Sequence, residues 1–204
     1  MQQFIKSYWE YFLELEEQLL ETKRYVDFDK ANEKTYSIEY LKLYQAVCSE
    51  IDVVAKEIAS TMNSNFKVDN GTNILKWGYE IQQDFPSIKN ERIMFNDCTS
   101  LVPFENWEYE WATSKDNKRY LRLVAGCKNP QWWSNYNKVK HQRIGLVTGT
   151  KYFHLANQHN LILSYAALFL LETLFLNSQQ TQITQIQHSK LFQFISDKKA
   201  EKTT

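Results

Sequence analysis

Leu161 to Leu176 is a run of sixteen residues in which only Ser164, Glu172 and Thr173 interrupt apolar side chains. It falls short of the roughly 20 residues needed to span a bilayer. A helix apolar on nearly every face must lie at the centre of a helical protein or beneath a partner subunit. The spacing predicts one long helix from Tyr152 to Leu176. One small bundle leaves some of such a surface uncovered, which predicts a homodimer.

The rest of the chain supplies helices to surround that run. Only 5 Gly and 3 Pro occur among 204 residues, which argues against collagen, low-complexity linkers and a turn-rich barrel. Hydrophobic residues at 43% and aromatics at 15% exclude a disordered chain. From Phe4 to about Arg24, Ile5, Tyr8, Phe12, Leu15 and Leu19 recur at helical steps, with Glu10, Glu14, Glu17 and Glu21 opposite. Tyr40, Tyr44, Val47, Ile51, Val54 and Ile58 form a second stripe ending near Met62, with Cys48 inside it as a buried small hydrophobe. Ile74 to Phe85 reads as a third helix that Pro86 stops, with Gly78 as its weak point. Residues 92–126 alternate in short runs around a turn at Ser114 to Lys118, and read as an extended insertion or β-hairpin outside the bundle core. Asn129-Pro130 reads as N-cap and first position of a helix that reaches about Arg143, with Gly145 as its C-terminal glycine. Ile183, Ile186, Leu191, Phe192 and Ile195 suggest a final helix before a flexible tail at 197–204. The expectation is a mainly α single domain over 1–204: a bundle of about five helices with a small extended insertion.

Net charge is zero, which excludes a globally basic nucleic-acid binder. The charge is nevertheless segregated. Residues 1–62 carry 7 basic and 12 acidic side chains and residues 63–113 carry 4 and 8, whereas residues 114–151 carry 9 and 1. Such a segment attracts polyanions locally, or simply keeps a loop solvated. Three cysteines without CxxC spacing indicate neither a zinc site nor a disulfide framework. No basic-then-apolar leader opens the chain, so a cytoplasmic protein without a membrane segment is expected.

The stretch richest in chemistry is Trp132-Trp133-Ser134-Asn135-Tyr136-Asn137-Lys138-Val139-Lys140-His141-Gln142-Arg143. On a helix, Asn137 and His141 are neighbours on one face, Trp133 lies one turn earlier, and Lys140 and Arg143 flank them. An amide, an imidazole and cations gathered in this way hold a phosphate and move a proton near neutral pH. The packing alternative gives His141 to the helix end, Trp132 and Trp133 to the core, and Asn137 to a buried backbone group. His154 and His159 are poorly spaced for a shared metal, and with His188 they read as ordinary polar positions.

Trp133, Tyr136, Asn137, Lys140, His141 and Arg143, followed by the apolar Ala166-Ala167-Leu168-Phe169-Leu170-Leu171 helix, resemble a segment of bacterial HEPN-like proteins. Tyr44-Gln45-Ala46 and Ser49-Glu50-Ile51-Asp52 resemble the earlier helix of that group, so the resemblance spans most of residues 36–176. It implies an HEPN-like bundle, commonly dimeric, that acts on or binds RNA in phage defence or stress response. Catalytic members carry Arg, a polar residue, three variable positions and His. Here Asn137 and His141 fill the polar and histidine positions, while Tyr136 stands where the arginine belongs. The chemistry this implies needs no metal or cofactor: the ribose 2′-hydroxyl attacks the adjacent phosphate, His141 transfers the proton, and Asn137 with Lys140 or Arg143 holds the phosphate oxygens, with Lys138 and Tyr136 as further RNA contacts. A tyrosine offers one hydroxyl and no charge in place of a guanidinium fork. Two alternatives therefore stand beside an endoribonuclease: an inactive RNA- or nucleotide-binding module, and a protein-interaction subunit such as an antitoxin or sensor. All four side chains Asn137, Lys140, His141 and Arg143 are expected to line one basic cleft.

Overall fold

A computed structural model of the chain describes residues 2–96, 99–179 and 186–195. The central run becomes α5 (Gln158–Ser178), and the longest partner laid against it is α2 (Ile38–Met62). The facing residues are the expected stripe: Tyr44, Val47, Cys48, Ile51, Val54 and Ile58 are fully buried. Ser37 opens α2 by accepting from the Tyr40 amide at 3.0 Å. Around this pair stand α1 (residues 2–22, with a π-helical stretch Ile5–Trp9), α3 (Ile74–Asp84) and α4 (Gln131–His141). The chain is thus mainly α-helical, with five helices of eight residues or more among the described residues.

α5 is long and apolar enough to cross a membrane by length and composition, but it is a core helix, mostly enclosed by this same chain. The argument for a second subunit from its all-round apolarity therefore lapses. It also starts later than Tyr152. Tyr152–Leu155 form a 3₁₀ turn, and Asn157 then caps α5 by accepting from the Asn160 amide at 3.0 Å.

The insertion is less peripheral than its alternating pattern suggests. β1 (Ile93–Phe95) pairs antiparallel with β2 (Thr99–Leu101), and β3 (Tyr109–Thr113) with β4 (Arg119–Leu123). Ile93, Phe95, Leu101, Phe104, Trp107 and Tyr109 are buried in the same apolar cluster as the helices, so this first part of the insertion completes the core, and only the ribbon beyond Tyr109 lies outside it as expected. Gln82 anchors the connection twice: its amide nitrogen donates to the Trp107 carbonyl at 3.1 Å and its oxygen accepts from the Tyr109 amide at 3.0 Å. Past Tyr109 the β3–β4 ribbon leaves the body and turns at Ser114–Lys118, where Asn117 adopts the left-handed conformation (φ 58°) that closes such hairpins.

A short ribbon, β5 (Leu146–Val147) with β6 (Thr150–Lys151), follows α4. The expected final helix is instead a strand, β7 (Phe192–Phe194), paired with β1 on the side away from β2. Ile183 and the tail at 197–204 lie outside the described residues. β7 is held by Glu16 of α1, a buried carboxylate that accepts from the Ser189 hydroxyl and from the Lys190 and Leu191 amides at 2.9 and 3.0 Å. Phe192 then packs among Phe12, Tyr165 and Phe169.

Candidate functional site

α4 is anchored by its aromatic face. Trp132 is buried and its indole donates to the Pro103 carbonyl at 2.7 Å, while Tyr44 donates its hydroxyl hydrogen to the Trp132 carbonyl. Trp133 is buried edge-on against Trp77 of α3, and Tyr136 edge-on against Tyr44 of α2. Both tryptophans thus belong to the packing reading. The helix begins at Gln131, with Pro130 in extended backbone at the cap position. Asn129 is not its N-cap, because the Asn129 side chain accepts from the Tyr109 hydroxyl instead. α4 also ends earlier than expected, at His141. Gly145 is not a left-handed terminator; the Tyr152 ring lies so close that a Cβ at Gly145 would sit 2.6 Å from it.

These anchors open a groove between α2, the start of α3 and α4. Ser49 and Asp52 form the α2 wall, and Thr72 to Leu75 the α3 wall. Asn129, Trp133, Tyr136, Asn137 and Lys140 form the third side. Asn73 caps α3 by accepting from the Leu75 amide at 3.0 Å, and this first turn of α3, its positive dipole end, lines the groove. Asp52 is already engaged, accepting from the Trp77 indole at 3.0 Å and from Lys56. The Lys140 ammonium lies 5.6 Å from the centre of the Tyr136 ring, a cation over an aromatic face. Burial pushes the Tyr136 phenol up to about 12, helped by Cys48 and Asp52, so it remains a neutral hydroxyl at physiological pH.

Four of the expected residues separate into two places. Asn137 and Lys140 line the groove with Tyr136; His141 and Arg143 do not. His141 is exposed on the last turn of α4 and Arg143 lies beyond the helix, where its guanidinium reaches Gln45 at 3.4 Å. Because the helix stops at His141, Arg143 loses the helical bearing that the spacing argument assigned to it. Lys138 is half-buried on the neighbouring face, outside the groove lining. Asp52, Asn73 and Asn129 were not singled out by sequence reasoning as groove residues. Only the Asn73 cap position, ahead of an apolar-periodic run, carried a local signal.

Of the remaining histidines, His154 stacks on Tyr36 with centroids 3.9 Å apart and His159 lies 3.8 Å from Glu33. Among the described residues no three His, Cys, Asp or Glu side chains gather as metal ligands. No family model matches the chain, and no curated protein or solved structure matches it. The resemblance to HEPN proteins rests on the residues quoted for it.

Proposed function

We propose that the chain is an HEPN-like RNA-acting protein of phage defence or stress response that holds an RNA backbone in the groove beside α4. The observation that carries this reading is the convergence of the Lys140 ammonium, the Asn137 amide and the N-terminal end of α3 on one open groove. Together they supply a charge, a neutral donor and a helix dipole for phosphate oxygens. The absence of any Asp or Glu from residue 117 to residue 171 keeps the α4 side of the groove free of its own repelling carboxylates. Binding rather than cleavage is the first reading, because the imidazole and the groove amide do not line one surface.

Cleavage is the second reading. It is favoured by the exposed position of His141 one turn beyond Asn137 on the same helix, which leaves the imidazole accessible beside the groove. A cytoplasmic homodimer belongs to the same proposal on the strength of the resemblance alone, since the core helix is covered within the chain. The test is a salt titration of single-stranded RNA binding by the full chain, with cleavage followed in parallel in the presence of a chelator. Binding whose logarithm falls with log salt, and a slope reduced by about 0.7 in Lys140→Ala, support the groove. Chelator-resistant cleavage lost in His141→Ala moves the assignment to the endoribonuclease. Neither binding nor cleavage leaves the interaction-subunit alternative in place.

A further inference from the structure

We infer that the protruding β3–β4 ribbon is a stacking arm for single-stranded RNA, which extends the track that begins in the groove. This inference rests on the groove reading for its direction but on different residues for its chemistry. The strand register places Trp111 opposite Leu121 and Thr113 opposite Arg119, so Trp111 and Arg119 share one face of the ribbon. The Arg119 guanidinium lies 4.9 Å from the Trp111 ring centre. Tyr79 of α3 meets the same indole edge-on at 6.0 Å. Trp111 remains 44% exposed, although the chain buries Trp9, Trp77, Trp107, Trp132 and Trp133.

Two connections join this platform to the groove. Along α3, Leu75 lines the groove and Tyr79 stands one turn further on the same face, about 6 Å along the axis. Along β3, Tyr109 bonds to Asn129 of the groove and Trp111 follows two residues later on the same face of the strand. The base of the ribbon is seated against Gly78 of α3, where a Cβ would lie 2.5 Å from Trp107 and 2.8 Å from Tyr109. That contact seats the base of the ribbon against α3, the helix whose first turn lines the groove and whose Tyr79 meets the exposed indole.

The chemistry of this face selects the partner. An exposed indole and a guanidinium plane both stack on bases, and stacking tolerates any sequence because every base has a π-face. Lys115, Lys118 and Arg119 surround the turn with Asp116 as the one acid there, while Arg122 is paired with Glu110. The result is a flat surface with local positive charge, suited to unpaired bases joined by phosphates. A duplex offers no unstacked base to this surface.

The experiment uses the full chain and a fluorescently labelled single-stranded oligouridine, with a duplex RNA of equal length for comparison. Trp111→Ala is expected to weaken single-strand binding about tenfold to a hundredfold without changing the salt slope, since it removes a stacking face and no charge. Trp111→Phe should restore most of that loss. Arg119→Ala should weaken binding and lower the slope by about 0.7. Tyr120→Ala, on the opposite face of the ribbon, should leave binding unchanged. If Lys140→Ala weakens binding while Trp111→Ala does not, the arm is refuted and the groove stands. The converse refutes the groove and retains the arm. Equal affinity for duplex and single strand, or no binding of either, overturns the arm outright.

Discussion

Glu172 sits inside the apolar run that defines the fold. It is fully buried in α5, and neither carboxyl oxygen has a hydrogen-bond partner in the structure. Burial pushes its pKa well above the ordinary 4.5, and the nearby Glu50 of α2 raises it further. Tyr8 of α1 and Glu57 of α2 belong to the same electrostatic neighbourhood, and the Tyr8 phenol is itself raised by burial and then by Glu57, Glu50 and Glu172. The folded protein therefore holds Glu172 as a neutral acid, whereas the unfolded chain releases that proton near pH 4.5. Below that pH both states bind the proton and Glu172 adds no pH dependence. Above it the unfolded state is favoured by about 1.4 kcal/mol for each pH unit, until the folded-state pKa is reached.

Glu172→Gln keeps the shape and removes the titration. Urea unfolding of both proteins, followed at pH 4.5, 5.5 and 6.5, should give stabilities whose difference moves in favour of the variant as pH rises. The gain is about 1 kcal/mol from pH 4.5 to 5.5, where the unfolded carboxyl is still partly protonated, and approaches about 1.4 kcal/mol per unit above that within the window. Glu172→Leu should show the same slope and an offset of about 1–3 kcal/mol in its favour, because an unpartnered polar group leaves the core. A difference that stays constant from pH 4.5 to 6.5 would falsify the buried neutral carboxyl.

Two further perturbations test the supports of the fold. Gly78→Ala drives a methyl group into the Trp107 and Tyr109 rings; overpacking of about 1–3 kcal/mol should outweigh the roughly 1 kcal/mol gained in helix propensity, read as a lower thermal midpoint. An unchanged or raised midpoint would mean that the rings retreat freely. Glu16→Ala strips the acceptor from the Lys190 and Leu191 amides and the Ser189 hydroxyl. It should cost about 2–4 kcal/mol, less than the sum of three charge-assisted bonds because water reaches the freed donors, and should raise amide hydrogen exchange across β7; protection that persists there would show that β7 is held by its pairing with β1 alone.

The parts of the fold legible in the sequence are those governed by local periodicity. The stripe of α2 repeats at helical steps and all of it is buried, whereas in α1 Phe12, Leu15 and Leu19 are buried as expected but Ile5 and Tyr8 are only half-buried, with Phe4, Trp9 and Leu13 buried in addition. The parts that failed depend on partners far along the chain. Leu191, Phe192 and Ile195 fit a helical step, Phe192 and Phe194 alternate as in a strand, and only the pairing of these two with Phe95 and Ile93 decides between the patterns. Glu16 reads as one more solvated glutamate until the backbone of residues 189–191 is brought against it. Residues 92–126 alternate like a surface hairpin because half of each short strand is polar, yet the apolar half is what seals the end of the bundle.

The site divides along the same line. Asn137 and Lys140 share a groove because they are three apart on a helix that continues through both, and spacing alone conveys that. Arg143 needed a further half-turn that α4 does not have. Tyr136, in the position where catalytic relatives of the resembled family carry arginine, is explained by its surroundings. Its ring is buried beside Tyr44, near the fully enclosed Cys48, where a guanidinium would be stripped of water and would have to compete for Asp52, which is already bonded to Trp77 and Lys56. The Lys140 ammonium lies over that ring and is the one cation of the groove lining. The charge that arginine would bring from within the core is thus delivered from the rim, by a flexible side chain that stays hydrated when the groove is empty. For the proposed RNA-binding role, that arrangement suits reversible holding of a backbone better than clamping of a single scissile phosphate, since the imidazole of His141 stands exposed outside the groove lining.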